Sequence, residues 1–239
     1  MNFRAPLPRF SAALAGNKPI RIVALGSSST QGIGASSPKS CYPVRLQAEL
    51  QRRFPDSKIR VDNLGIGGQL ATDMLPRIKK DVLPRKPTLV IWQTGVNDAM
   101  RSVDLEKFRK TVLRGIDLLQ KQNIDVVLLD MQYFPRAEKV RNFARYLVAM
   151  RQIAEARKVP ILQRYAIMKH LVTSAQFTAR QLLAKDLFHP NDVTYGCLGR
   201  LMADALQGEV VRGAERAERV KYPADRAKQA GSVAPIPVH

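Results

Sequence analysis

The segment Asp186-Leu187-Phe188-His189 sets a carboxylate and an imidazole three residues apart. At this spacing the carboxylate can fix the ring's tautomer and steady its positive charge, which suits general-base work. The chain has 3 histidines. His239 is its last residue, expected in a frayed terminus, and His170 lies in Ile167-Met168-Lys169-His170-Leu171, which reads as one turn of a partly buried helix. His189 is therefore the imidazole placed for acid–base chemistry. What it needs is a nucleophile, and Gly26-Ser27-Ser28-Ser29-Thr30-Gln31-Gly32-Ile33-Gly34 offers a small-residue turn from which a serine oxygen can be exposed. Taken alone, such a Gly/Ser stretch is more often an ordinary loop. A phosphate-loop reading fails because no Gly-Lys-Ser/Thr follows.

Two further segments could serve the same reaction. Asn63-Leu64-Gly65-Ile66-Gly67-Gly68 carries three glycines in four positions. That pattern suits backbone lying close to a ligand or amides left free to point at one, and equally a plain tight turn. In Gly95-Val96-Asn97-Asp98 the asparagine can cap the following helix, or it can offer a side-chain N–H to a developing oxyanion.

These residues have to be held by a scaffold, and the apolar pattern specifies one. Five short runs rich in β-branched residues recur: Ile20 to Leu25, Ile59 to Leu64, Thr88 to Gln93, Asp125 to Asp130 and Pro160 to Gln163. Their continuous apolarity, as in Val126-Val127-Leu128-Leu129, predicts strands covered on both faces, hence a parallel sheet. Amphipathic stretches lie between and after them: Val44 to Phe54, Thr72 to Val82, Asp104 to Gln122, Lys139 to Arg157 and Asp192 to Ala205. Pro43 and Asp104 are suitable helix-entry residues. This alternation predicts an α/β fold, a three-layer α/β/α sandwich on a five-stranded parallel sheet of flavodoxin-like type. In such a sheet ligands sit beyond the carboxyl ends of the strands. Three of the four segments above directly follow a predicted strand, and the fourth precedes the last helix.

Taken together, the four blocks resemble those of the SGNH hydrolases, also called GDSL-type esterases and lipases, in order, spacing and strand context. The resemblance covers residues 20 to 207 or thereabouts. It implies Ser28 as nucleophile in Gly26-Ser27-Ser28, with Asp186 and His189 as its acid–base partners. It also implies an oxyanion hole made by the amides of Ser28 and Gly68 and the side chain of Asn97. One departure is Ser27, where the family has Asp; that Asp is not one of the catalytic groups, and its loss bears on how the nucleophile turn is braced. The implied activity is hydrolysis of carboxylic esters through an acyl-enzyme, with short acyl or O-acetyl groups favoured and a small-molecule or glycan ester as substrate. O-acyl transfer would use the same residues. Met131, Gln132, Tyr133 and Phe134 after the fourth strand, and Phe188, are candidates for an acyl or alcohol pocket, with Tyr133 and Phe188 equally suited to the core.

Composition bounds the rest. At 239 residues the chain suits one full α/β domain: a loose segment over 1–18, a hydrolase domain over 19–209 and a basic tail over 210–239, in part helical and then disordered. No run approaches the ~18 apolar residues of a membrane span. No signal peptide is evident, so the chain as it stands reads as cytoplasmic, or periplasmic or secreted if a signal was removed upstream. Cys41 and Cys197 lack zinc-type spacing and read as two half-buried thiols rather than a disulfide, and no metal or cofactor is expected. The net charge of +19 favours anionic surroundings, such as an acidic polymer or a membrane surface, and keeps a non-catalytic polyanion-binding protein as the competing reading. Charges such as Arg52-Arg53, Arg77 to Lys80, Arg85-Lys86 and Arg109-Lys110 fall where helices would show wet faces, without aromatic interleaving, so no specific nucleic acid is expected.

Overall fold

The computed structural model describes residue 3 and residues 5–221, with the side chains of 217–221 excepted. Strands β1 (Ile20–Gly26), β2 (Ile59–Gly65), β3 (Leu89–Gln93), β4 (Asp125–Leu129) and β5 (Ile161–Leu162) form one sheet in the order β2-β1-β3-β4-β5. All four pairings are parallel. The predicted α/β/α sandwich is the observed fold. Every residue of β3 is buried, because helices cover both faces of this central strand. Strand β2 lies at the sheet edge and is only partly buried; its Arg60 and Asp62 form an ion pair there, which blunts an otherwise exposed edge.

The helices are α1 (Pro8–Ala15), α2 (Ser28–Gln31), α3 (Tyr42–Arg53), α4 (Ala71–Arg77), α5 (Val96–Met100), α6 (Leu105–Lys121), α7 (Phe143–Ala156), α8 (Arg164–Thr173), α9 (Ala179–Leu182) and α10 (Asp192–Lys221). Two apolar layers result. One, facing α4, α6 and α7, is built on Trp92, Phe108, Val112, Ile116 and Ile153; the other, facing α1, α3 and α10, on Phe10, Tyr42, Leu46, Tyr195 and Met202. Asp104 caps α6 as expected, its carboxylate accepting from the Lys107 amide at 2.8 Å. Among the described residues no helix is long and apolar enough to cross a membrane.

Three expectations differ from the structure. The described part of the first eighteen residues is not loose: α1 packs on the sheet with Phe10 fully buried, and its first turn is met by distant carboxylates. Asp125 accepts from the Phe10 amide at 2.9 Å and Glu209 from the Leu7 amide at 3.3 Å. The single helix predicted over Thr72 to Val82 is broken. Pro76 lies inside α4, and a π-helical turn Ile78–Val82 and a 3₁₀ turn Leu83–Arg85 follow, because proline removes a ladder donor. Not every basic pair is solvated either. Arg53 is held by Glu49 and Asp204, and Arg77 donates to the Leu64 carbonyl, to Gln69 and to Asp81. At the other end, α10 carries the chain as helix to Lys221; the remainder of the predicted tail and His239 lie outside the described residues.

Candidate active site

The sheet brings together Ser28, at the end of β1, and the loop before α10. His189 Nε2 is 2.9 Å from Ser28 Oγ, and His189 Nδ1 is 2.6 Å from Asp186 Oδ2. The geometry of the Asp186–His189 turn is local in origin. Asp186 Oδ1 accepts from the amides of Phe188 and His189, each at 3.0 Å, which leaves Oδ2 for the imidazole. This winding requires Leu187 at φ +52°, a conformation that costs a non-glycine residue about 1 kcal/mol. A short antiparallel bridge between Leu183 and Pro190, with the Ala184 amide donating to the His189 carbonyl at 2.8 Å, closes the loop base. Partial desolvation works against ionisation of Asp186, but the His189 hydrogen bond and the two amides outweigh it and hold the carboxyl below its ordinary value. The carboxylate therefore stays charged beside the ring.

Ser28 opens α2, and Ser27 before it is extended (φ −98°, ψ −147°). As the first helical residue Ser28 has no intrahelical acceptor for its amide. The Gly65–Gly68 turn lies alongside. A Cβ on Gly65 would stand 2.0 Å from the Gln31 amide nitrogen, so only glycine lets β2 approach α2 this closely. Gly67 donates to Gln31 Oε1 at 2.8 Å, and a Cβ built on Gly67 would lie 3.9 Å from Ser28 Cβ. Gly68 adopts φ +75°, the left-handed region that favours glycine, and among the described residues its amide has no acceptor. Asn97 does not cap α5; Gly95 holds that position. Instead Asn97 Nδ2 donates one hydrogen to the Gln69 carbonyl at 2.9 Å, which fixes the carboxamide and leaves its second N–H available. The adjacent Asp98 is wholly buried; desolvation pushes its carboxyl up to about 6, although the Ala71 amide donates to it.

The expected pocket residues separate. Met131 is fully buried against Gly95 and is core, because the turn after β4 folds it beneath α5. Tyr133 is half-buried and stacks edge-on against Tyr165. Phe188 stands edge-on against His189, ring centroids 4.8 Å apart, and is backed by Phe134 at 4.8 Å. His170 is exposed on α8, Cys41 is a buried free thiol and Cys197 an exposed one. Among the described residues no group of three His, Cys, Asp or Glu side chains could hold a metal ion.

Residues outside the four blocks support the site from below; one of them, Gln132, was expected to line a pocket and is instead wholly buried. Ser29 Oγ donates to Gln132 Oε1 at 3.3 Å, and buried Arg164 donates to the same oxygen at 3.2 Å and to the Asp130 carbonyl at 2.9 Å. Asp130 is itself buried, and desolvation raises its carboxyl to about 7. Gln93 accepts from the residues on either side of Ser28. Their signal was a polar side chain at the end of an otherwise apolar strand run.

Comparisons with known proteins bear on the family and the fold. The model of the non-GDSL lipase-like family matches residues 1–212. An acetylxylan esterase of Geobacillus stearothermophilus is 26% identical over 184 residues, which is 72% of this chain and 83% of that protein. Among solved structures, a two-domain esterase active on acetylated mannans superposes with a TM-score of 0.75 at 22% identity over 87% of this chain. The chain spans about half of that protein, 54% of its length. The acetyl xylan esterase AlAXEase superposes with a TM-score of 0.64 at 25% identity, covering 77% of this chain and 96% of that one. The chain belongs to the non-GDSL lipase-like family and is a hydrolase of the SGNH/GDSL type.

Proposed function

We propose that the protein is a serine esterase acting on short acyl esters, with O-acetyl groups on a glycan as the favoured substrate. The observation that carries this reading is the unbroken relay from Asp186 through His189 to Ser28, at 2.6 and 2.9 Å. In the proposed cycle His189 Nε2 takes the Ser28 hydroxyl proton as Oγ attacks the ester carbonyl, and Asp186 stabilises the imidazolium. The Ser28 and Gly68 amides and the free N–H of Asn97 receive the oxyanion. His189 then returns the proton to the leaving alcohol, and water releases the acyl group by the same route in reverse. The preference for short acyl groups rests on Phe188 and Phe134, which close one flank of the imidazole with aromatic rings. The glycan rests on the relatives, whose own activities are on acetylated xylan and mannan.

A fluorophosphonate probe should label Ser28, and p-nitrophenyl esters from C2 to C16 should be turned over with a maximum at the short end. Release of acetate from acetylated xylan or mannan should be abolished in Ser28→Ala. Labelling at Ser27 or Ser29 would overturn the nucleophile assignment. Absence of both labelling and turnover would favour the polyanion-binding reading.

A further inference from the structure

Beneath the nucleophile turn lies a side chain that neither the relay nor the oxyanion donors use. Gln93 ends β3 and is wholly buried. Its Oε1 accepts from the Ser27 amide at 3.0 Å, from Ser27 Oγ at 3.2 Å and from Thr30 Oγ1 at 3.0 Å. These three donors bracket Ser28, one residue before it and two after. A backbone amide can only donate, so the Ser27 N–H dictates which end of the carboxamide faces the turn; the reverse orientation would set N–H against N–H.

The arrangement has costs that a merely space-filling residue would not incur. Gln93 Nε2 is buried and, among the described residues, has no acceptor. An unmet buried donor costs about 1–3 kcal/mol. Ser27, at the N-cap position of α2, makes no capping bond; its hydroxyl is turned to Gln93 instead. The strand before it is shaped to suit: a Cβ on Gly26 would fall 2.1 Å from Thr30 Oγ1 and 2.8 Å from Gln93 Oε1. Position 26 must be bare for the two side chains to meet. A neutral acceptor is also the right chemistry here. A carboxylate at the same place would set fixed negative charge beside the oxyanion that forms at Ser28.

We propose that Gln93 is a positioning residue for the nucleophile, acting through Ser27 and Thr30. By gathering both onto one oxygen it sets the direction of the Ser28 amide and hydroxyl relative to His189. In this chain the brace for the nucleophile turn comes from the neighbouring strand, not from the residue preceding the serine. The inference rests on Ser28 being the nucleophile.

The test uses Gln93→Met, which keeps the volume and removes the acceptor, and Gln93→Glu, which keeps an acceptor and adds a titratable charge. Steady-state kinetics on p-nitrophenyl acetate and the rate of fluorophosphonate labelling are read alongside thermal melting. Gln93→Met should lower kcat and the labelling rate by about 10- to 100-fold with KM little changed, as displacement of a reacting atom does. Added to the double variant Ser27→Ala/Thr30→Val, the same substitution should lower kcat by clearly less than it does in the parent, because two of the three hydrogen bonds through which it acts are already gone and only that of the Ser27 amide remains. Gln93→Glu should lose activity relative to the parent as pH rises and its carboxyl ionises, giving a descending limb that the parent profile lacks. A folded Gln93→Met with parental kcat, or losses that multiply fully in the triple variant, would overturn the inference. Should Gln93→Met not fold, a Gln93→Glu profile parallel to the parent's at all pH values overturns it instead. Ser28→Ala separates the two levels: if that variant still labels and turns over, the nucleophile assignment fails. If it is inactive while Gln93→Met is unimpaired, only the positioning role fails.

Discussion

At the carboxyl ends of the strands, Asp186 is 47% exposed and bonded to an imidazole; at the amino ends, Asp125 and Glu209 sit beneath α1 and are bonded to backbone amides. Both ends use aspartate to fix a nearby group, yet the environments drive the carboxyls in opposite directions. Asp186 is held below its ordinary value, whereas burial pushes Asp125 up to about 6, against the amides that donate to it. The carboxylate that must stay charged for chemistry is left near water, bonded to the imidazole whose positive charge it would stabilise during the reaction. The one that pins a helix is half-buried and bears a desolvation cost. The site end is organised for charge, the opposite end for packing, and substitutions at the two ends should separate activity from stability.

The largest expected effect is at the site. Ser28→Ala should lower kcat by about 10⁴-fold or more while leaving the melting temperature near the parental value. A melting temperature that collapsed as well would mean that the two ends are not independent. Next, Phe10→Ala at the opposite end should cost about 3–5 kcal/mol of stability, the typical loss for a fully buried ring. Its kcat, measured well below the melting temperature, should be unchanged; altered turnover would show that α1 communicates with the site.

Asn97→Ala sharpens the site side. It should lower kcat by about 10²-fold with little change in KM, because the donor acts in the transition state. Its bond to the Gln69 carbonyl is lost too, so a shift confined to KM would assign Asn97 to shaping the turn instead. Asp125→Asn sharpens the other side. Folded Asp125 holds its proton up to about pH 6, whereas the unfolded chain releases it near pH 4, so rising pH through this window favours the unfolded state. The asparagine keeps an oxygen for the Phe10 amide and cannot ionise. The variant should match the parent near pH 4 and exceed it at pH 7.5 by about 2 kcal/mol. Equal stability at both pH values would contradict the raised carboxyl. The smallest effect is expected from EDTA dialysis, which should leave p-nitrophenyl acetate turnover unchanged. Loss of activity restored by one divalent ion would break the metal-free mechanism.

How much of this was legible in the residues divides along the same line. The strands were readable because each is a short, continuously apolar run, and their observed limits fall within about two residues of the expected ones. Three blocks of the candidate site were readable because they put small or amide-bearing residues at strand ends, and the fourth because it pairs an aspartate with one of only 3 histidines. Helix α1 was not, although Leu7, Phe10 and Leu14 follow a helical spacing; Pro6 and Pro8 punctuate a stretch too short to be judged by period alone. The supporting roles of Gln93, Gln132 and Arg164 were hidden for a different reason. Their partners lie 32 to 103 positions away, and only the parallel pairing of β1, β3, β4 and β5 brings them under α2. Met131 was misjudged because the step from strand to turn, which decides whether it faces the mouth or the core, leaves no mark on residue type.

The long reach of the relay has a bearing on when the protein becomes active as it is made. Ser28 and His189 are 161 positions apart, so a nascent chain exposes its serine on the order of ten to thirty seconds before the base can join it at usual synthesis rates. Through that interval the serine hydroxyl has no base to activate it and should be no more reactive than any other alcohol. The same delay applies at the opposite end, where the Leu7 amide waits for Glu209, 202 positions later. The bond of α1 to α10 can form only then, whereas its bond to Asp125 at the start of β4 is within reach earlier. Hydrolysis should therefore begin only after the loop carrying His189 has been made and has closed onto Ser28.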